Sequence, residues 1–111
     1  MMKMIKNDFV HNLNLIDGIM TYNDFDIDEK VPFEEQKWSY KCDIIQIEFG
    51  PRYTLDVGWY PEFDPAGHFL VRGIKDFDWL KPIAKKKCQS FVSLKKAIEE
   101  IAKFLSHEAA R

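Results

Sequence analysis

The chain has 111 residues, of which 46% are apolar and 31% are charged, and its formal net charge is −2. A length of roughly 100–150 residues is typical of one domain that folds without disulfides or a structural metal, and this composition excludes disordered and collagen-like chains. No apolar run is long enough to span a bilayer, and the N-terminus lacks the apolar stretch of a secretory signal. We therefore expect a cytoplasmic protein without membrane association.

The N-terminal forty residues carry the weakest secondary-structure signal. Four apolar residues with helical spacing predict a short helix over residues 3–14, which Gly18 would end. The asparagines in this stretch are poor helix formers, so helix and strand both stay open here. Residues 23–35 are expected to be loop or sheet edge.

An antiparallel sheet is predicted in the middle of the chain, because apolar and polar residues alternate there with the period of a strand. The predicted strands cover residues 43–49, 53–60 and 68–75, with a short fourth at about 83–88. Gly50-Pro51-Arg52 separates the first two as a hairpin connection, and a turn-rich loop at 61–67 precedes the third. Gly58 falls on the outward face of the second strand, which is typical of a bulge or a close approach of backbone.

The clearest signal is a C-terminal helix. Its apolar residues recur three and four positions apart, which predicts a helix over about 94–106 with Ser93 as its N-cap. Glu99 and Lys103 are spaced for a favourable ion pair. The chain is thus predicted to be one α+β domain, residues 1–111, in which an antiparallel β-meander of three to four strands is packed on one face by the C-terminal helix.

Catalytic signatures are absent from the sequence. The three histidines are scattered, no phosphate-cradling glycine loop is present, and Cys42 and Cys88 form no C-x-x-C pair. We expect both cysteines to be reduced, buried thiols, and we assign no catalytic, cofactor-binding or metal-binding residue. A small thiol-dependent enzyme that pairs one of these cysteines with His68 stays open as an alternative.

A group of acidic residues comes closest to a known motif. Asp24, Asp26, Asp28 and Glu35 fall at positions 1, 3, 5 and 12 of a calcium-binding loop. The sixth position needs glycine for a sharp turn and is Glu29 here. A regulatory calcium-binding module is therefore a further alternative, and an acidic surface is the favoured interpretation.

Aromatic residues accompany these acids. Such a composition is typical of a protein-binding patch, in which desolvated rings supply affinity and charge sets the association rate. The candidate partner interface comprises Asp24, Phe25, Asp26, Asp28, Glu29, Phe33, Glu34, Glu35, Trp38 and Trp79. The alternative is that the rings turn inward and the acids only keep an edge soluble. Phe77 and Trp79, flanked by Asp76 and Asp78, form a second candidate patch.

The charge is unevenly distributed along the chain. Residues 1–80 carry 8 Lys and Arg against 15 Asp and Glu, whereas residues 81–111 carry 8 against 3. The basic part includes the lysine run 85–87, which we expect to be an exposed strand edge. Because the net charge is negative and no nucleic-acid-binding motif is present, nucleic acid is not an expected partner.

One passage of hairpin and helix carries a family resemblance. It reads Leu55-Asp56-Val57-Gly58-Trp59-Tyr60-Pro61, then Gly67-His68-Phe69 and Phe77-Asp78-Trp79, and ends with the C-terminal helix. This passage resembles small bacterial immunity proteins encoded beside polymorphic toxins, including those of contact-dependent growth inhibition systems. The resemblance implies a cytosolic antidote, not an enzyme, that binds one cognate toxin domain, commonly a nuclease, and blocks its active site. Against a nuclease, the acidic residues would mimic phosphate.

Overall fold

The computed structural model describes residues 9–111 and shows an α+β fold, in which a C-terminal helix covers one face of a sheet. The strands are β1 (Ile19–Asn23), β2 (Ile45–Phe49), β3 (Tyr53–Tyr60), β4 (His68–Lys75) and β5 (Ala84–Cys88), and the helix is α1 (Phe91–Ala109). All neighbouring strands are antiparallel and lie in chain order across the sheet. The predicted antiparallel meander is confirmed, but it has five strands where three to four were expected.

Strand β1 is the element that the sequence did not indicate. Its residues do not alternate between apolar and polar, and most of them are exposed, because β1 is an edge strand that pairs only with β2. A register shift between Met20 and Tyr22 marks a bulge, which also disrupts the period of two. The position of β1 is therefore set by its pairing with β2 and not by an alternating pattern in its own sequence.

Half of the helix predicted over residues 3–14, residues 3–8, falls outside the described residues. Its described part forms a turn, in which the Asn12 N–H donates to the Phe9 carbonyl. After β1 the chain is irregular up to β2, apart from two single-turn 3₁₀ helices at Phe33–Glu35 and Lys37–Ser39. This irregular segment contains most of the predicted interface residues.

Strands β2 to β5 form where the alternation predicted them. The β2–β3 hairpin turns through Gly50, whose φ of +66° lies in the left-handed region that glycine adopts without strain. β3 and β4 are the longest strands and pair along their full length. β5 is the second edge strand and carries Lys85, Lys86 and Lys87 exposed to solvent, as expected for a protected edge.

Helix α1 extends beyond the predicted bounds at both ends, and its N-cap is Ser90 rather than Ser93. The Ser93 N–H donates to Ser90 Oγ at 3.0 Å, and the Ser90 N–H donates to Ser93 Oγ at 3.2 Å. This reciprocal capping box satisfies two backbone donors at once. The prediction missed it because Ser93 was taken as the cap itself, although it occupies the third helical position.

Glu99 connects α1 to the start of the described chain. It accepts a hydrogen bond from Lys95 Nζ at 2.7 Å and one from the Asn14 N–H at 2.8 Å. The expected ion pair with Lys103 is therefore replaced by a pair with the lysine one turn earlier. The hydrogen bond from Lys95 is the main cause that lowers the pKa of Glu99.

The hydrophobic core lies between α1 and one face of the sheet. Its helical part consists of Leu94, Ile98, Ile101, Ala102 and Leu105. Its sheet part consists of Ile45, Ile47, Leu55, Val57, Trp59, Phe69 and Val71. In the described part of the chain no helix is long and apolar enough to cross a membrane. Among residues 9–111 no helix lies on the opposite face of the sheet, and the candidate site lies there.

Candidate protein-binding surface

The sheet face opposite α1, called the open face from here on, carries a row of polar side chains. The strand register aligns Tyr22, Gln46, Asp56, Arg72 and Lys85 across the five strands. Residues next to the central members of this row belong to the core, so the strand alternation directs the row away from α1. At its centre Asp56 is only 1% exposed.

Asp56 and Arg72 form an ion pair in the middle of this row. Arg72 Nη2 donates to Asp56 Oδ2 at 2.8 Å, and Gln46 Nε2 donates to Asp56 Oδ1 at 3.3 Å. Burial raises the pKa of Asp56, and the hydrogen bond from Arg72 acts in the opposite direction. A buried carboxylate is tolerated only when it is paired and hydrogen-bonded, so Asp56 depends on Arg72.

Two aromatic rings flank the Arg72 guanidinium. Its Cζ lies 5.7 Å from the centroid of the Tyr60 ring and 5.6 Å from that of the Trp79 ring, within the range of cation–π attraction. Trp79 belongs to the connection between β4 and β5. The contact therefore ties this connection to the open face of the sheet.

The connection between β4 and β5, called the 76–83 loop, is fixed at both ends. Arg52 Nε and Nη2 donate to the two carboxylate oxygens of Asp76 at 2.8 and 2.9 Å, a bidentate geometry that restricts orientation. At the far end the Ile83 N–H donates to the Gly73 carbonyl at 2.8 Å. Asp76 and Phe77 have φ of +55° and +59°, which is a strained backbone conformation for a bulky residue. Such strained residues are concentrated at functional sites.

This fixed loop presents large apolar side chains to solvent. Phe77 is 62% exposed, Trp79 37% and Leu80 93%. Single exposed apolar residues are ordinary, but three within four positions of one ordered loop form a patch. The sequence had indicated Phe77 and Trp79, whereas it carried no signal for the exposure of Leu80 or for the role of Arg72 beneath the loop.

Two of the predicted interface acids accept hydrogen bonds within the protein, and a third has a buried oxygen without a partner in the described part of the chain. Asp24 accepts a hydrogen bond and ion pair from Lys41 Nζ, and Asp28 Oδ1 accepts from the Lys30 N–H at 2.9 Å. Asp26 Oδ1 is buried and has no hydrogen-bond partner within the described residues. Asp24 and Asp28 thus take part in contacts within the irregular segment.

Two of the predicted interface rings turn inward, as the alternative interpretation had it. Phe25 stacks on Phe9 with a centroid separation of 4.9 Å and meets the Phe91 ring at 5.5 Å. Phe33 packs on Tyr40 with a centroid separation of 4.4 Å. Both rings belong to the margin of the core.

The remaining members of the predicted interface lie in two places. Glu29, Glu34, Glu35 and Trp38 are exposed on the irregular segment. Trp38 packs on Phe63, just beyond the end of β3, with a centroid separation of 4.9 Å. The 76–83 loop instead begins beside Arg52, just before the start of β3. The 76–83 loop therefore starts at the opposite end of β3 from Trp38, and its Trp79 reaches to Arg72 on the open face.

The two thiols have environments unlike that of a catalytic cysteine. A hydrogen bond to Glu62 and burial raise the pKa of Cys42 to about 11, and burial raises the pKa of Cys88. An activated thiol needs the opposite shift, because the thiolate is the nucleophile. Both cysteines are free and half-buried.

We predict slow alkylation of both thiols in the folded protein at pH 7. Their raised pKa values leave almost no thiolate at that pH. Labelling with iodoacetamide, followed by intact mass, should show at least tenfold slower modification than after denaturation with urea. Rapid labelling of either cysteine in the native protein would instead support the thiol-dependent enzyme.

The calcium hypothesis finds no ligand set in the described part of the chain. No three His, Cys, Asp or Glu side chains there come together as a metal site would require. Asp24, the first residue of the proposed calcium loop, is already paired with the ammonium group of Lys41. A cation at this position would have to displace that pair.

Comparison with known proteins does not add a relative. No protein-family model matches the chain, and no match was found to a curated protein or to a solved structure.

Proposed function

We propose that this chain is a non-catalytic binding protein that neutralises a cognate bacterial toxin domain in the cytoplasm, as an immunity protein does. The observation that carries the proposal is the ordered 76–83 loop with its exposed Phe77, Trp79 and Leu80. A loop that is fixed before binding loses little conformational entropy when a partner covers it. Large apolar side chains in such a loop are suited to be the anchors of a protein interface.

The contacts of the 76–83 loop support recognition rather than catalysis. Its strained start is held by Arg52 and its Trp79 ring rests on Arg72, so the apolar side chains are presented in one arrangement. Neither thiol has the lowered pKa of a nucleophile. The resemblance to immunity proteins then specifies the partner as a toxin domain.

The exposed acidic group supports a nuclease as the target less strongly than the sequence suggested. Of the six predicted acids, Glu29, Glu34 and Glu35 are exposed, and Glu34 pairs with Lys37 Nζ at 3.8 Å. They lie with Trp38 at the other end of β3 from the 76–83 loop. In this proposal they are a secondary contact, and the apolar loop is the anchor.

The proposal predicts that Leu80→Asp abolishes neutralisation. Because the Leu80 side chain is 93% exposed, a carboxylate in its place leaves the fold intact. In the complex that carboxylate would be desolvated at a cost of about 2 kcal/mol or more, which weakens binding by roughly 30-fold in Kd. The measurement is growth rescue when the variant is co-expressed with the cognate toxin domain, which the proposal expects to be encoded directly upstream, together with the Kd by calorimetry.

Val92→Asp is the matched control. Val92 is 79% exposed on the first turn of α1, so this variant makes the same kind of change far from the loop and should rescue growth fully. The double variant Glu34→Lys/Glu35→Lys tests the acidic group in the same assay. If Leu80→Asp still rescues growth and the double variant does not, the interface is the acidic group and not the loop. If the wild-type chain does not rescue growth, the proposed role as an immunity protein is contradicted.

A further inference from the structure

Two lysines of β5 lie on the same sheet face as the 76–83 loop. The register places Lys85 opposite Arg72 and Lys87 opposite Leu70, and both belong to rows that point away from α1. Lys86, between them, points to the helix side and pairs with Glu100 at 2.9 Å. The strand period therefore places Lys85 and Lys87 on the sheet face that carries the loop, and Lys86 on the opposite face.

The charges beside the loop are predominantly positive and unpaired. Among the described residues Lys81, Lys85 and Lys87 take part in no ion pair, whereas Arg72 is neutralised by Asp56. Asp76 is neutralised by Arg52. Lys81 and Asp78 are exposed within the loop itself, and Lys85 lies opposite Arg72, on which Trp79 rests, whereas Lys87 lies two residues further along β5. The exposed carboxylates of Asp43 and Glu48 lie just before and on β2, on the other side of the sheet centre.

We propose that the partner surface that meets the 76–83 loop is acidic, and that its carboxylates pair with Lys81, Lys85 and Lys87. This inference rests on the proposed function and specifies the chemistry of the partner at that site. Apolar anchors with a charged rim are the usual arrangement of a specific interface, and the rim sets the association rate. The sign of this rim is opposite to that of a phosphate mimic.

A protein is favoured over nucleic acid as the acidic partner. Nucleic-acid sites without sequence preference use several cations along a groove and ring faces on which bases stack. Here one face of the Trp79 ring is occupied by Arg72, and the most exposed anchor, Leu80, has no ring. Three lysines around an aliphatic anchor fit carboxylates around an apolar pocket.

The test is the association rate with the upstream-encoded toxin domain, measured by surface plasmon resonance at two ionic strengths. Lys85→Glu/Lys87→Glu should slow association about tenfold at low salt, and the difference should shrink at high salt because the exposed charges are screened. The control is Lys96→Glu/Lys103→Glu, which makes the same change in net charge with two exposed lysines of α1. It should change the rate less than twofold.

Each outcome has a distinct meaning. If the toxin domain binds and Leu80→Asp prevents binding, but both lysine variants associate equally fast, this inference is overturned and the proposed function stands. If the wild-type chain does not bind the toxin domain at all, the proposed function fails. A 20-nucleotide single-stranded DNA serves as a further probe, and binding to it that Lys85→Glu/Lys87→Glu removes would assign the surface to nucleic acid and overturn the inference.

Discussion

Replacement of Asp56 by alanine is expected to lower the free energy of unfolding by about 3–5 kcal/mol. The side chain of Arg72 is only 19% exposed and its Nη2 donates to Asp56 at 2.8 Å. Without the carboxylate, a largely desolvated guanidinium remains uncompensated. Arg72 Nε is already buried without an acceptor in the described part of the chain, and the other acceptor of Nη2, the Tyr60 hydroxyl at 3.3 Å, is neutral and does not compensate the charge.

Equilibrium unfolding in urea measures this loss directly. Glu48→Ala is the matched control, since Glu48 is an exposed acid on the neighbouring strand and the same open face, and it should change the stability by less than about 0.5 kcal/mol. The double variant Asp56→Leu/Arg72→Met should recover much of the loss, because it removes both charges at once. A loss below about 1 kcal/mol for Asp56→Ala would show that the pair contributes little.

The sequence predicted the elements whose pattern is local. The strands β2, β3 and β4 alternate because one of their faces is buried against α1, and α1 repeats its apolar residues for the same reason. An edge strand has no such requirement. β1 was therefore missed, and its place in the sheet depends on pairing with a strand more than twenty residues away.

The candidate site was predicted only in part, because exposure is a property of the tertiary structure. Asp24 and Phe25 look like surface residues in the sequence, yet they are held by Lys41 and Phe9. Asp56 was counted as an outward strand residue, and its partner Arg72 is identified only by the register. A charged residue at the centre of a predicted middle strand, such as Asp56, is the sequence signal that could have identified the open face as a candidate site.

The functional and structural features of the open face depend on one another. Trp79 rests on the guanidinium of Arg72, which Asp56 holds in place. A variant that removes Asp56 should therefore also loosen the 76–83 loop and, under the proposed function, weaken binding of the partner. For this reason the exposed Leu80, and not a residue of the pair, is the appropriate position to test the interface.

The second large effect is expected for Gly58→Ala, which should destabilise the fold by about 3 kcal/mol or more. A Cβ at this position would lie 2.8 Å from the carbonyl carbon of Cys42 and closer still to its oxygen. The crossing backbone is fixed there, because the Trp59 N–H donates to the Lys41 carbonyl at 2.8 Å and the Tyr60 hydroxyl donates to the Cys42 carbonyl at 3.2 Å. Relief of the clash requires the loss of these bonds.

Gly50→Ala separates this steric requirement from the conformational freedom of glycine. Gly50 has a φ of +66°, but a Cβ there would have only the Ala109 Cβ near it, at 3.8 Å. This variant should cost about 1 kcal/mol, the strain of a left-handed alanine. Urea denaturation of both variants measures the difference. Equal losses would show that the segment before β2 moves aside easily, and that the close approach of Cys42 to β3 does not constrain the open face.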